Sequence, residues 1–224
     1  MSLSDNGYEL INSFLSSELL DAFNSELGSV ELPKSAGGIR NPQAKYKSIS
    51  SFSSSSQVLD QAAVYLNGKP KFVRAILFNK TSSNNWLVSW HQDRTVAVSE
   101  KFSAEGWGPW SEKDGVLHVQ PPIEVLNSMV TFRIHLDAAS EQNGCLSVVP
   151  KSHKLGILTQ KEISERSSTF TSVLCPAPER SALVMRPHLL HASAKGKSPS
   201  QRRVLHLEYS DYELPAGVSW AENV

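Results

Sequence analysis

The chain has 224 residues, 40% of them aliphatic, aromatic or cysteine, which is enough for a sizeable core within one domain. Its 22 basic residues balance 22 acidic ones, which argues against a nucleic-acid binder that works by neutralising phosphates and against a polybasic membrane-surface protein. No apolar run approaches the ~20 residues that span a bilayer, and MSLSDNGYEL lacks the basic and apolar regions of a secretory signal, so a soluble cytoplasmic protein is expected.

Apolar residues from Leu10 to Leu27 recur at helical spacing, and Ser16–Ser17 ahead of Glu18 look like a cap, so a helix is predicted from about Ser17 to Leu27, stopping at Gly28. Seven serines in the nine positions Ser48–Ser56 predict a loop, followed by a short helix over Gln57–Leu66. Beyond Lys71 the texture becomes β-rich. Strands are predicted at Phe72–Phe78, Trp86–His91, Thr95–Val98, Val116–Val119, Met129–Leu136, Leu146–Val149, Ala182–Met185 and Val204–Tyr209, with a short helix near Gln160–Arg166. The result is a single domain over 1–224, helical up to about residue 70, with a β core over about 71–210 of sandwich or barrel type. No βαβ alternation or GxGxxG supports a dinucleotide fold. Cys145 and Cys175 have neither CxxC nor zinc spacing and read as small core residues.

The sharpest chemical signal is His91-Gln92-Asp93 in WLVSWHQD. In an extended segment residues i and i+2 share a face, so His91 and Asp93 are placed to grip one metal ion; imidazole plus carboxylate suits ferrous iron. A surface histidine near an aspartate is the plainer alternative. The third ligand must come from His118, His135, His153, His188, His191 or His206. In LVMRPHLLHASAKGKSPSQRRVLHLEYS a strand rises to His191, with Ser193 on the same face, and a second strand returns from Arg202. A guanidinium fork with a hydroxyl nearby is suited to a dicarboxylate.

HQD, NGCLSVVPKSH and HASAKGKSPSQRRVL, in that order, resemble the phytanoyl-CoA dioxygenase family of Fe(II)- and 2-oxoglutarate-dependent oxygenases, from about Arg74 to Tyr209, with Lys151 standing where the family usually has glycine. The resemblance implies a double-stranded β-helix, a jelly-roll barrel of eight core strands with helices outside. It implies His91, Asp93 and His191 as the metal-binding and catalytic facial triad, and Arg202 as partner of the 2-oxoglutarate C5 carboxylate, assisted by Ser193. Arg203 is the competitor, and strand alternation lets only one of the two face the site. Cofactors so implied are Fe(II), 2-oxoglutarate and O2. The reaction so implied couples decarboxylation of 2-oxoglutarate to succinate and CO2 with oxidation of a substrate C–H bond; the Asp93 carboxylate favours hydroxylation, desaturation or cyclisation over halogenation.

Two further residues are candidates for the cofactor-binding set. Lys80 either lines the cosubstrate or substrate pocket or is an exposed loop lysine. Arg133 shares a strand face with Thr131 and His135, and meets a carboxylate if that face is the barrel interior. His206 shares strand parity with Arg202 and reads as a satisfied core histidine. His188 is the rival third ligand, His118 a strand-end surface histidine, and His153 part of a structural turn. Trp107 and Trp110 either form a lid or anchor a loop. The expected partner is a small-molecule substrate of the size of an amino acid or small carboxylate, and the expected assembly is a monomer or homodimer. The alternatives are a non-catalytic barrel binding a small ligand and a cupin-type metalloenzyme without a cosubstrate, in which Arg202 would be a surface arginine.

Overall fold

The computed structural model describes residues 2–28, 37–198 and 200–221. Thirteen strands are assigned among them: β1 (Tyr8–Ile11), β2 (Ile39–Arg40), β3 (Lys71–Lys80), β4 (Val88–His91), β5 (Val96–Val98), β6 (Trp110–Lys113), β7 (Val116–Val119), β8 (Met129–His135), β9 (Leu146–Val148), β10 (Val173–Cys175), β11 (Ala182–Met185), β12 (His191–Ser193) and β13 (Arg202–Ser210). The α-helices are α1 (Leu3–Asn6), α2 (Ser17–Leu27), α3 (Lys47–Ser53), α4 (Ser56–Ala63), α5 (Ile123–Asn127) and α6 (Gln160–Thr169).

All pairings are antiparallel. A larger sheet runs β1-β11-β8-β13-β3-β2 and a smaller one β10-β9-β12-β4, while β5-β7-β6 form a third. The cavity between the first two is lined from β3, β8 and β13 on one side and β4, β9 and β12 on the other. Eight strands, β11-β8-β13-β3 and β10-β9-β12-β4, thus make a double-stranded β-helix.

Alternation along three long strands separates the two faces of the larger sheet. Outward residues Leu77, Phe132, Leu205, Leu207 and Tyr209 are completely buried, under Phe23, Ile49, Phe52 and Val58 of α2–α4. Phe14 stacks on Phe132 with centroids 5.8 Å apart, and the Tyr209 hydroxyl donates to Ser53 O at 2.7 Å. The inward face is polar: Arg74 and Lys80 from β3, Arg133 from β8, Arg202 and His206 from β13. Polar residues line this barrel's interior while its outside is apolar, because the helices, not solvent, cover the outside.

Helix α2 starts as predicted, with Ser16 Oγ accepting from Leu19 N at 3.2 Å. The serine run is not a loop. Ile49 and Phe52 anchor α3 in the core, and both oxygens of the Glu26 carboxylate accept from the first amides of α3, Lys47 N at 2.6 Å and Ser48 N at 2.7 Å. Tertiary anchoring overrides the weak helix propensity of serine. Nor is the N-terminal part purely helical: β1 and β2 add to the two edges of the larger sheet. Trp107 and Trp110, the latter opening β6, stand edge-on to Phe102 at 4.8 and 5.3 Å and pack against the apolar cluster that includes Val96, Val98 and Val119, so they anchor this segment rather than close the cavity. Among the described residues no helix is long and apolar enough to cross a membrane.

Candidate metal centre and cosubstrate cavity

His91 ends β4 and His191 opens β12, and the two are direct partners in the antiparallel pair, with ring centroids 4.2 Å apart. Asp93 follows two residues after His91, its backbone amide donating to Pro187 O at 2.9 Å. Its two carboxylate oxygens lie 3.6 Å from His91 Nε2 and His191 Nε2 respectively, too long for hydrogen bonds. One ligand atom from each of the three residues falls within 4.8 Å of the others. That spacing fits a first-row divalent ion at roughly 2.1 Å from each donor.

Proton placement fits too. His91 Nδ1 donates to Ser89 O and His191 Nδ1 to Leu189 O, both at 2.8 Å. A carbonyl only accepts, so both rings carry their proton on Nδ1 and turn the Nε2 lone pair toward Asp93, the outer-shell arrangement that metal-ligating histidines use. Burial, then the neighbouring His91, pushes His191 down to about 3, so it is neutral at physiological pH. Burial opposes ionisation of Asp93, but interaction with His191, His91 and His206 around it and with the Arg74 guanidinium outweighs it and holds the carboxyl well below the usual range. The His91 side chain is 36% exposed and that of His191 only 3%, so the triad opens to solvent on the His91 side.

Gln92 faces away from the cavity and ties the ligand-bearing segments together. Its amide donates to His188 O at 2.7 Å and Gly156 O at 2.8 Å, and its carbonyl accepts from Leu158 N at 2.8 Å. The PKSH turn does the same for β12, because Ser152 Oγ accepts from Leu190 N at 2.8 Å. His188, the rival third ligand, is fully buried away from this cavity beside His153, with centroids 6.2 Å apart. His153 serves the turn, its Nε2 lying 3.3 Å from Ser4 O. His118 is not a surface residue: it is 3% exposed within β7, where pairing with β5 and β6 on both sides covers it, and its Nδ1 reaches Val116 O at 3.0 Å. His135 is buried on β8, and burial, with Arg133 and Arg202 nearby, pushes it down to about 3.

At the far end of the cavity Arg202 and Lys80 are direct partners across β13 and β3. Lys80 is no loop lysine. It is 1% exposed, and its ammonium donates to Ser193 Oγ and Ala194 O, each at 2.8 Å. Burial, then Arg202 and Arg133, pushes it down to about 7. Arg202 is 3% exposed and donates to Gly144 O, which also accepts from Ser193 Oγ at 2.9 Å. Burial and the neighbouring Arg133 push Arg202 down to about 10, and its Nε has no hydrogen-bond partner. Gly144 holds φ +77°, and a Cβ there would lie 2.4 Å from Ala194 O, so only glycine allows β12 this close. Arg203 points the other way and forks onto Asp137 at 2.7–2.8 Å.

Two buried charged residues beside the site escape sequence reasoning. Arg74 and Glu208 form a buried ion pair at 2.8 Å, and Glu208 accepts from His206 Nε2 at 2.9 Å. Their signal is parity: Arg74 shares a face with Lys80, and Glu208 with His206 and Arg202. Asp93, His206 and Glu208 also cluster within metal-ligand distances, but both ring nitrogens of His206 are engaged, Nδ1 by Arg133 and Nε2 by Glu208, which leaves His91, Asp93 and His191 as the candidate ligand set.

Fold and site together are those of a double-stranded β-helix carrying a candidate facial-triad metal centre. A sequence profile of the phytanoyl-CoA dioxygenase (PhyH) family matches residues 3–204, and the chain belongs to that family. Membership brings Fe(II), 2-oxoglutarate and O2 as cofactors. A methylphosphonate hydroxylase of Gimesia maris is 29% identical over 94 residues; the match takes in 40% of this chain and only 36% of the relative's length. Among solved structures, AviO1 from Streptomyces viridochromogenes Tue57 superposes with a TM-score of 0.68 at 19% identity over 95% of this chain and 93% of its own. HygX from Streptomyces hygroscopicus, solved with nickel and 2-oxoglutarate bound, gives 0.66 at 15% identity over 93% and 83%.

Proposed function

We propose that this Fe(II)/2-oxoglutarate-dependent oxygenase hydroxylates a C–H bond of a small-molecule substrate. The observation that carries the reading is one cavity holding both the His91–Asp93–His191 set and, at its far end, the buried Arg202–Lys80–Ser193 cradle. When bound, the iron supplies O2 activation coupled to oxidative decarboxylation of 2-oxoglutarate. His91, Asp93 and His191 would hold the ion. Arg202 grips the C5 carboxylate of the cosubstrate through its fork, with Lys80 and Ser193 donating beside it and Arg133 adding positive field. Phe78 and Ile76 wall the cavity against water.

A barrel without cosubstrate would leave Arg202 as a surface arginine, whereas it is 3% exposed and turned inward. The relative's name, methylphosphonate hydroxylase, supports hydroxylation and places methylphosphonate among the substrates to try. The test is succinate release from 2-oxoglutarate under aerobic ferrous conditions, alone and with a metabolite library. His91→Ala and Asp93→Ala are expected to abolish it and to lose Fe(II) binding while far-ultraviolet circular dichroism stays native. Arg202→Ala is expected to raise the KM for 2-oxoglutarate by at least tenfold, the loss of a charged hydrogen bond of about 1.5–3 kcal/mol. An Arg202→Ala enzyme with a wild-type KM would remove the cosubstrate assignment. A hydroxylated product, identified by mass, separates hydroxylation from desaturation or cyclisation.

A further inference from the structure

Resting on the oxygenase reading, we propose that the prime substrate is itself a small oxyanion, a carboxylate or phosphonate, and that Arg133 receives it.

Charges around the cavity are unequally matched. Arg74 is paired with Glu208, and Arg203, on the opposite face of its strand, with Asp137. Among the described residues Arg133 has no such carboxylate. It is 7% exposed, lines the cavity from β8 and lies over the Phe78 ring at 5.4 Å. Among the described residues its hydrogen bond runs from Nη1 to His206 Nδ1 at 3.2 Å, and its Nε has no partner there. His206 supplies no charge to it. Arginine only donates, so Nδ1 must accept, which puts the ring proton on Nε2 and aims it at Glu208. Glu208 in turn belongs to Arg74.

The cofactors do not settle the balance. A divalent ion, the Asp93 carboxylate and the 2-oxoglutarate dianion together carry one net negative charge, which Arg202 balances. Arg133 is left over, and Lys80 with it whenever protonated. A guanidinium does not shed its proton to escape burial, so its counter-charge must arrive with a ligand. The cavity, about 560 Å³ of empty space when the open solvent at its mouth is counted, is where a second small molecule would sit beside the cosubstrate. A neutral substrate would leave Arg133 buried and unpaired in the complete complex; an oxyanion, planar or tetrahedral, meets its fork.

Protein loaded anaerobically with Fe(II) and 2-oxoglutarate, so that no turnover occurs, is titrated calorimetrically while the visible Fe(II)–2-oxoglutarate charge-transfer absorption is followed. The probes are small carboxylates and phosphonates, from propionate and methylphosphonate upward, each beside its neutral amide or ester. At least one oxyanion is expected to bind in one-to-one stoichiometry with the absorption retained, at least tenfold tighter than its neutral counterpart. The carboxylate and phosphonate arms show which geometry the site prefers. Arg133→Met is expected to weaken that binding at least tenfold and Arg133→Lys to recover part of it, with thermal melting reporting that both variants fold. No binding by any oxyanion, equal binding of the neutral counterparts, binding only by displacement of 2-oxoglutarate, or an unchanged affinity in both variants would each overturn the proposal alone. Failure of the wild-type protein to develop the charge-transfer absorption would overturn the oxygenase reading, and this proposal with it.

Discussion

Lys80 shows how much a single buried group can control. Its ammonium sits beside two guanidinium groups, and burial together with Arg202 and Arg133 pushes it down to about 7. A cosubstrate carboxylate in that cradle favours the charged form and raises the value again, so binding above pH 7 takes up a proton. The affinity for 2-oxoglutarate is therefore complete below about pH 7 and falls as pH rises through it, by up to tenfold per unit until the bound-state value is reached. Anaerobic titration of 2-oxoglutarate between pH 6 and 9 should show this slope, and Lys80→Met should remove the lysine's share; parallel profiles for the two proteins would exclude the role. The triad and the basic strand were legible because i, i+2 parity puts His91 with Asp93, and His191 with Ser193, on one face. Arg74 was not, because its partner Glu208 lies 134 residues away on another strand. Pairings of that separation leave no local pattern.

Elements were legible where their own residues decide them and obscure where a distant neighbour does. Strands β7 and β11 fall on their predicted residues, since each is a short apolar run bounded by turn formers. The serine run carries only Ile49 and Phe52 as apolar anchors, and its helical state depends on the cover provided by α2 and the larger sheet. If α3 is a fixed part of the core, Ile49→Ala should cost about 2–5 kcal/mol in urea unfolding, the usual penalty for truncating a fully buried aliphatic side chain. A change below about 0.5 kcal/mol would mean that the segment moves as a loop. The turn after β9 tests a second local rule. Lys151, in the position the family usually gives to glycine, holds φ +68°. A left-handed backbone strains any residue with a Cβ. Lys151→Gly should raise stability by about 0.5–1 kcal/mol, the relief of strain outweighing the extra chain entropy of glycine. A loss of stability would mean that the Lys151 side chain is held by contacts that repay the strain.

At the scale of the whole molecule, the barrel is assembled around a cationic interior, so stability and function pull apart. Lys80 has an ordinary value of 10.5 in the unfolded chain and about 7 in the folded one. Between those two values the unfolded state holds a proton that the folded state lacks, so stability rises with pH from about 7 to about 10.5 and is lowest below 7. Removing the charge should reverse that deficit. Ligand-free Lys80→Met should be more stable than wild type at pH 6, with the gap closing toward pH 10, and the difference between the two unfolding curves isolates the lysine because every other titrating group is common to both. Adding Mn(II) and 2-oxoglutarate should then invert the order. A ligand at a hundredfold its Kd stabilises the folded state by about 2.7 kcal/mol, and the variant, binding more weakly, gains less. A Lys80→Met protein less stable than wild type at pH 6 without ligand would show that the ammonium is already adequately solvated by Ser193 and Ala194 O, and that the interior does not depend on its ligands for charge balance.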